Sequence, residues 1–219
     1  MNLPLTGITA LVTSGATREP LDPVRYITNH SSGKQGYAIA EALAEYGAHV
    51  TLISGITALP CPAAVTRIIT PSAEEMLAAC LHILPVTIAI CAAAVADFRP
   101  LAVSPQKIKK DLDSNILQLT LIKNPDILAT LANHPTQRPP LVIGFAAETE
   151  DIVKNARDKL QRKGCDWILA NDVSGDVFNS DTNSINFLTA MSDQHEHWPT
   201  MSKKEVAERL VEKIIRDHL

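Results

Sequence analysis

The sequence predicts an α/β protein with a Rossmann-like, doubly wound and mainly parallel sheet. Short apolar runs rich in β-branched residues alternate with segments of helical periodicity, as in successive βαβ units. Two of these runs, TIAICAAA and LVIGFAAET, are apolar almost throughout, as expected of parallel strands that are buried on both faces. The length of 219 residues, with 46% apolar and 20% charged residues, fits a single domain over residues 1–219.

In the first half, strands and helices are expected to alternate around a long loop at residues 15–36. Ser72 and Glu75 stand three residues apart at the start of an apolar run, which is the spacing of a helix capping box. Gly47 is the expected C-cap of the first helix. The predicted strands cover 8–13, 49–54, 66–70 and 87–94, and the predicted helices cover 37–47 and 73–84.

The second half is less regular. Segment 95–111 contains two prolines and a basic cluster, and the excursions after the fourth strand are expected to form a lobe that embraces the ligand. Pro125 is expected in the first turn of a short helix. Val206, Leu210 and Ile214 repeat every four residues and form an apolar stripe on the last helix. The predicted strands cover 116–123, 141–149, 167–172 and 185–190, and the helices cover 125–133, 151–163 and 202–219.

Composition argues against several classes of protein. A net charge of −4 and a pI near 6.0 do not fit a nucleic-acid partner, which requires a basic surface. Neither a membrane span nor a signal peptide is expected, so a cytoplasmic location is predicted. Cys61, Cys80, Cys91 and Cys165 are too far apart to suggest a zinc site or a disulfide framework, and Cys80 and Cys91 are expected in the core.

The long first loop lies where open parallel sheets bind ligands, beyond the carboxyl end of a strand. Loops of this length in compact domains are commonly functional. Its SSGKQG segment places small residues and amide donors at the start of a helix, where anions are favoured. It is neither a Walker A sequence nor a dinucleotide-binding G-x-G-x-x-G. These residues alone support a phosphate site and a plain helix start equally.

Longer segments are more specific. GATREPLDPVRYITNHSSGKQGYAIAEAL closely resembles the opening of phosphopantothenoylcysteine synthetase, the synthetase half of the bacterial bifunctional coenzyme A protein. The resemblance continues in family order at CAAAVADF, SPQKIKK, KNPDIL, VIGFAAET, LANDV and FNSD, and it covers about residues 8–215. It does not include the flavin-dependent decarboxylase half, so no flavin is expected. One departure is TSGAT at residues 13–17, where the family often has AGPT or AGGT.

The resemblance implies a ligase of coenzyme A biosynthesis. CTP, with Mg²⁺, would activate the carboxylate of 4′-phosphopantothenate as an acyl-cytidylate, and the amine of L-cysteine would displace CMP. Because the substrate carboxylate is the first nucleophile, no Ser–His–Asp or Cys–His arrangement is required, and a site of cations and fixed amide donors is sufficient. The family also implies a homodimer, and it leaves a separate decarboxylase open as a partner.

The resemblance also implies roles for individual residues. Asn29 would stabilise an oxyanion, Arg25 would contact substrate and Lys107 would neutralise the triphosphate; His30 has no assigned role, and Arg18 is a weaker candidate of the same kind as Arg25. Without the resemblance, an Asx-turn explains Asn29 better, and the lysines below fit an exposed helix face. The implied nucleotide-binding residues are Cys91, Ala92, Ala93, Asp97, Lys107, Pro125, Asp126, Ile127, Leu128, Phe145, Lys159 and Lys163.

Two other functions remain open from the sequence. A nicotinamide- or flavin-dependent reductase has the same fold class, but Ser54 and Gly55 stand where an acidic residue would hold the ribose. The other is a non-catalytic partner of a decarboxylase. The presence of Asn29 and Lys107 argues against it.

Overall fold

A computed structural model describes residues 3–109, 116–172 and 180–218, without the side chain of residue 172. The strands are β1 (Thr9–Ser14), β2 (Arg18–Asp22), β3 (Arg25–Thr28), β4 (His49–Ser54), β5 (Val65–Ile69), β6 (Ile88–Cys91), β7 (Phe98–Pro100), β8 (Leu121–Lys123), β9 (Leu141–Glu148), β10 (Trp167–Asp172), β11 (Thr182–Thr189) and β12 (His195–Ser202). The helices are α1 (Lys34–Glu45), α2 (Ala73–Ile83), α3 (Ile127–Ala132), α4 (Ile152–Lys163) and α5 (Lys203–Asp217).

Eight strands form the central sheet in the order β12-β11-β10-β9-β6-β1-β4-β5. Six neighbouring strands are parallel, in the order β5, β4, β1, β6, β9 and β10. β11 and β12 are added antiparallel at the β10 edge. The Rossmann-like, mainly parallel sheet predicted from the sequence is therefore confirmed. β1 pairs with β4 on one side and β6 on the other, so the strand order reverses beside β1. Such a reversal opens a crevice at the carboxyl ends of the strands.

Both faces of the sheet are covered, which explains the fully apolar sequences of β6 and β9. On one face, α1 and α5 pack together, and the predicted stripe of Val206, Leu210 and Ile214 is buried there. On the other face, the core contains residues of α2, α3 and α4. The expected capping box of Ser72 and Glu75 is present at α2. Among the described residues, no helix is both long and apolar enough to span a bilayer.

Several predicted boundaries are wrong. The loop at 15–36 contains the β2–β3 hairpin, and α1 begins at Lys34, three residues before the predicted start. β8 covers 121–123 instead of 116–123, because residues 116–120 are exposed and outside any sheet. Pro125 precedes α3 and is not in its first turn. Asp126 is the N-cap and accepts a hydrogen bond from the N–H of Ala129.

The segment between β6 and α3, called the excursion here, packs on the β2–β3 hairpin. Its strands β7 and β8 form a two-stranded sheet, and the N–H of Ser104 donates to the carbonyl oxygen of Leu21 at 2.9 Å. The excursion and the hairpin therefore form one unit beside the central sheet. That this unit embraces a ligand stays a prediction.

Candidate functional site

The carboxyl ends of β1 and β6 are tied together at the crevice. The hydroxyl of Thr13 accepts from the N–H of Ala93 at 3.3 Å, and the hydroxyl of Thr17 accepts from the N–H of Ala96 at 3.0 Å. Both threonines are buried, and the residues between the tied positions are small. The two strand ends therefore form a fixed surface that a ligand can approach closely.

A cavity of about 570 Å³ lies over this surface. One wall is residues 28–36, which lead from the hairpin into α1, and another is residues 92–95 after β6. The remaining lining side chains come from both halves of the sheet and its helices; they are Asp97, Phe145, Ala147, Lys159, Asn171, Asn183 and Lys203. Four of the segments that resemble the family therefore meet in space, through residues 28–36, 92–97, 145–147 and 171.

The first turn of α1 is unusually close to the end of β1. Its N-cap is Gly33, which has a φ of 76° and no side chain to cap the free N–H groups. A Cβ on Gly36 would lie 2.5 Å from the Cβ of Ser14 and nearer still to its hydroxyl, so the approach requires glycine. Because free N–H groups at a helix start favour anions, the position suits a phosphate or carboxylate.

Asn29 follows the hairpin, and its side chain contacts the segment after β6. Its Nδ2 donates a hydrogen bond to the carbonyl oxygen of Val95 at 3.0 Å. An amide nitrogen carries two hydrogens, so this bond orients the group and leaves a second donor at the cavity wall. His30 also lines this cavity.

A second cavity of about 450 Å³ adjoins the first and shares Ala93, Val95, Asp97, Phe145 and Lys159 with it. It extends to the start of α3 and to α4. The implied nucleotide-binding residues that line it are Cys91, Ala93, Asp97, Pro125, Asp126, Ile127, Leu128, Phe145, Lys159 and Lys163. Ala92 lines the first cavity.

Charge accumulates on the α4 side of the second cavity. Burial lowers the pKa of Lys159, and the nearby cations Lys163 and Arg162 lower it further, against the opposing effect of Glu148. Burial alone would raise the pKa of Asp126, but its ion pair with Lys163 and its capping bond outweigh burial and lower that pKa. Because four cations and two carboxylates line the second cavity, a polyanion would be stabilised here.

The buried cysteines provide no nucleophile. Burial raises the pKa of the Cys91 thiol well above its usual value, that of Cys80 to about 12 and that of Cys165 to about 11. All three are therefore protonated at neutral pH and pack as small apolar groups. The expected burial of Cys80 and Cys91 is confirmed. Cys91 contributes shape to the second cavity, not a thiolate.

Arg25 and Lys107 are not among the residues that line these two cavities. The guanidinium of Arg25 is bound to Asp22 and to the carbonyl oxygen of Ile108. Lys107 is exposed on the excursion. Within one chain, neither is brought together with Asn29, and their roles stay predictions.

The polar contacts that close the far side of the first cavity could not be predicted from the sequence. Asn183 donates through Nδ2 to Oε1 of Gln35 at 2.9 Å, and Nε2 of Gln35 donates to the carbonyl oxygen of Lys203 at 3.0 Å. Lys34 pairs with Asp181 at 2.6 Å. These residues lie about 150 positions apart in the chain. The only signal in the sequence was the FNSD segment, which contains Asp181 and for which the resemblance assigns no role.

Comparison with known proteins matches residues 5–218 to the DNA/pantothenate metabolism flavoprotein C-terminal domain. The coenzyme A biosynthesis bifunctional protein CoaBC of Vibrio cholerae is 46% identical over 218 residues, which are 98% of this chain and 54% of that protein. The chain thus spans about half the length of the curated relatives it matches.

Two solved structures have the same fold, each with a TM-score of 0.81. The C-terminal domain of a CoaBC protein is 38% identical, with 98% of this chain and 97% of that chain covered. The DNA/pantothenate metabolism flavoprotein of Streptococcus pneumoniae is 26% identical, with 97% and 100% covered. By sequence along nearly its whole length and by fold, this chain belongs to the DNA/pantothenate metabolism flavoprotein C-terminal domain family.

Proposed function

We propose that this chain is a phosphopantothenate–cysteine ligase of coenzyme A biosynthesis. It joins 4′-phosphopantothenate to L-cysteine and converts CTP to CMP and pyrophosphate. The observation that carries the proposal is the pair of adjoining cavities, with cations on one side and an oriented amide on the other. The relatives' name, a bifunctional protein of coenzyme A biosynthesis, supports the same pathway.

In the first step, a carboxylate oxygen of phosphopantothenate attacks the α-phosphorus of CTP. A new P–O bond forms and the bond to pyrophosphate breaks. No side chain has to act as the nucleophile, so the protein contributes positioning and charge neutralisation. Lys159 and Lys163 line the nucleotide side and would neutralise the phosphates. Burial already disfavours the charge on Lys159, and a bound polyanion would restore it.

In the second step, the amine of cysteine attacks the acyl carbon and CMP leaves with the electrons of the C–O bond. The amine loses a proton to solvent, and negative charge develops on the former carbonyl oxygen until CMP leaves. The free hydrogen of the Asn29 amide would donate to that oxygen. Groups of this kind contribute about 3–4 kcal/mol in other enzymes. The bond from Asn29 to Val95 would hold the donor in place before the charge forms.

Mg²⁺ fits this site as an ion that arrives with the triphosphate. Among residues 3–109, 116–172 and 180–218, no cluster of three His, Cys, Asp or Glu side chains is suited to a metal. Mg²⁺ in nucleotide sites commonly needs one or two carboxylates beside the phosphates. Asp126 is already paired with Lys163, so Asp97 is the candidate ligand. The ion would neutralise phosphate charge.

The proposed ligase is a homodimer in which the partner helps to complete the site. Arg25 and Lys107 lie on the hairpin and the excursion, away from the cavities of their own chain. A second copy could bring the same groups to these cavities. A separate decarboxylase is a further proposed partner, because the chain matches about half of relatives that are named bifunctional.

The test of the proposed function is pyrophosphate release with phosphopantothenate, cysteine and each of the four nucleoside triphosphates. We expect turnover that depends on both phosphopantothenate and cysteine. It should be fastest with CTP, because free N–H groups near Asp126 can donate to O2 and N3 of cytosine. Equal or faster turnover with ATP would contradict the preference for CTP. No pyrophosphate release with any nucleotide would contradict the ligase itself.

A further inference from the structure

Asp22 is a buried carboxylate at the turn of the β2–β3 hairpin. Its side chain is 0% exposed, although the neighbouring residues 23–26 are all exposed. A buried carboxylate requires hydrogen-bond donors, because its desolvation is otherwise costly. Oδ1 accepts from the N–H groups of Val24 and Arg25, both at 2.9 Å. These bonds fix the turn between β2 and β3.

The other oxygen of Asp22 faces the excursion. Oδ2 accepts from Nε and Nη2 of Arg25 at 3.0 and 2.5 Å, and from the N–H of Ile108 at 3.0 Å. Nη2 of Arg25 also donates to the carbonyl oxygen of Ile108 at 2.8 Å. The carboxylate and the guanidinium together therefore bind both main-chain polar groups of Ile108 on the excursion.

Ile108 belongs to a basic segment, defined here as residues 104–109. Lys107 and Lys109 in it are exposed and Ile108 is half-buried. Besides the contacts at Ile108, the segment is tied to the hairpin by the bond from the N–H of Ser104 to Leu21. Asp22 is thus the charged centre of the attachment. Its hydrogen bond with Arg25 and those from the N–H groups of Val24 and Ile108 hold the pKa of Asp22 well below its usual range, against the effect of burial.

We propose that Asp22 is a positioning residue for the ligase: through Arg25 and the main chain of Ile108 it holds the basic segment, and with it Lys107, in the place from which Lys107 acts on the nucleotide. This inference rests on the proposed function. Asp22 does not line either cavity, so it acts through other residues. An asparagine would lose the charge and turn a donor toward the donors of Arg25 and Ile108.

The first test is trypsin cleavage of the whole protein without substrates, with mass spectrometry of the bonds after Lys107 and Lys109. Asp22→Asn should be cleaved there at least about tenfold faster than the wild type, because charge-assisted hydrogen bonds shift an opening equilibrium by that order. Asp166→Asn is the matched control. Asp166 also accepts from an arginine, Arg138, and from a main-chain N–H, that of Val142, but it lies at the opposite end of the strands. It should not change cleavage in the basic segment.

The second test is single-turnover release of pyrophosphate from labelled CTP. Asp22→Asn should slow it by about 100-fold, which is the cost of misplacing a catalytic group by about 1 Å. The CTP concentration that gives half of the maximal rate should change little. Asp166→Asn should stay within about twofold of the wild type. Unchanged cleavage, equal acceleration in both variants, or unchanged pyrophosphate release in Asp22→Asn would overturn the proposal.

A wild-type protein without ligase activity would contradict the proposed function, whereas the cleavage test would still judge the attachment on its own. If Asp22→Asn does not fold, Arg25→Lys replaces it in the cleavage test. Lysine keeps the positive charge but cannot bind Asp22 and Ile108 with a planar fork. Faster cleavage after Lys107 and Lys109 would support the attachment, and cleavage at the wild-type rate would overturn it.

Discussion

At the scale of single residues, Asn29 and Lys107 occupy different surroundings, and each is suited to a different one of the two proposed steps. Asn29 lines the first cavity, with its amide oriented by Val95. Lys107 is exposed on the segment that Asp22 holds. An oriented donor is suited to a charge that appears on the acyl group, whereas a long cation is suited to the phosphates.

We therefore expect Asn29→Asp to slow the amine attack and Lys107→Gln to slow formation of the acyl-cytidylate. Asn29→Asp puts negative charge where negative charge develops and opposes the carbonyl of Val95, so the second step should fall by at least about 100-fold. It should still release pyrophosphate in a single turnover. Rapid quench with labelled CTP would follow pyrophosphate and the acylated nucleotide separately. Equal loss of pyrophosphate release in both variants would contradict this division of roles.

Lys159 is expected to lower the stability of the free protein while it supports nucleotide binding. Burial lowers its pKa, so between that lowered value and 10.5 the unfolded chain binds more protons than the folded one. Stability should therefore rise with pH in that window. Lys159→Met removes the penalty and should raise the Tm at pH 7 by about 2–4 °C, while it raises the KM for CTP.

Lys154→Met is the control for this prediction, because Lys154 is exposed on the same helix and does not line either cavity. It should change neither the Tm nor the KM. Calorimetry at several pH values and steady-state kinetics would measure both effects. A lower Tm for Lys159→Met would show that the lysine stabilises the fold.

At the scale of elements, the junction of β1 and α1 depends on one close approach. The Cβ of an alanine at position 36 would lie 2.5 Å from the Cβ of Ser14. Gly36→Ala should therefore displace the start of α1 and cost about 1–3 kcal/mol of unfolding free energy. Substrate binding should weaken as well, because residues 31–36 line the first cavity.

A second substitution tests the cause. Ser14→Gly removes both atoms that the alanine would meet first, although it also removes the bond from the Ser14 hydroxyl to the carbonyl oxygen of Gly33. The double variant should be more stable than the sum of the two single changes predicts. Urea denaturation of the four proteins would measure the coupling. If the losses of unfolding free energy are additive, the clash with Ser14 is not the cause of the destabilisation.

Among the elements, those with an apolar sequence pattern were predictable, and those that bury a single residue or charged residues were not. β6 and β9 are apolar runs between two layers of helices, and α5 has an apolar stripe, so each pattern has one explanation. β12 has the sequence HEHWPTMS, in which Trp198 is the buried residue and Pro199 opposes a strand assignment. β2 and β3 are short, and their buried residues Glu19 and Asp22 are charged. Polar contacts stabilise these strands, and periodicity does not record them.

Some parts of the site could likewise be located from the sequence, and others could not. The strand-end segments could be located because a parallel sheet presents its carboxyl ends at one edge. The contacts of Gln35 with Asn183 and Lys203 could not, because they depend on how α1, β11 and α5 pack. The attachment of Arg25 by Asp22 was also missed, because an arginine three residues after an aspartate has no specific pattern.

At the scale of the whole molecule, the hairpin and the excursion present a surface that suits a second copy of the chain. Ile116, at 76%, is the most exposed of its apolar side chains, and Val24 and Leu101 follow at 59% each. Exposed apolar groups in such number mark an interaction surface. The surface carries Val24, Tyr26, Leu101, Val103, Ile116, Leu117, Leu119 and Leu121. Arg25 and Lys107 are on the same hairpin and excursion, so a twofold interface would bring both to the partner.

We expect a homodimer by light scattering at assay concentration, and the sharing of sites can be tested by complementation. Asn29→Asp and Lys107→Gln should each be nearly inactive alone. When the two variants are co-expressed, about half of the dimers contain one copy of each, and one of their two sites combines the intact Asn29 of one copy with the intact Lys107 of the other. Activity should then recover to about a quarter of the wild type. If Lys107 serves its own chain, every site carries one substitution and the mixture stays as inactive as its components. A fully active monomer would contradict both the assembly and the sharing.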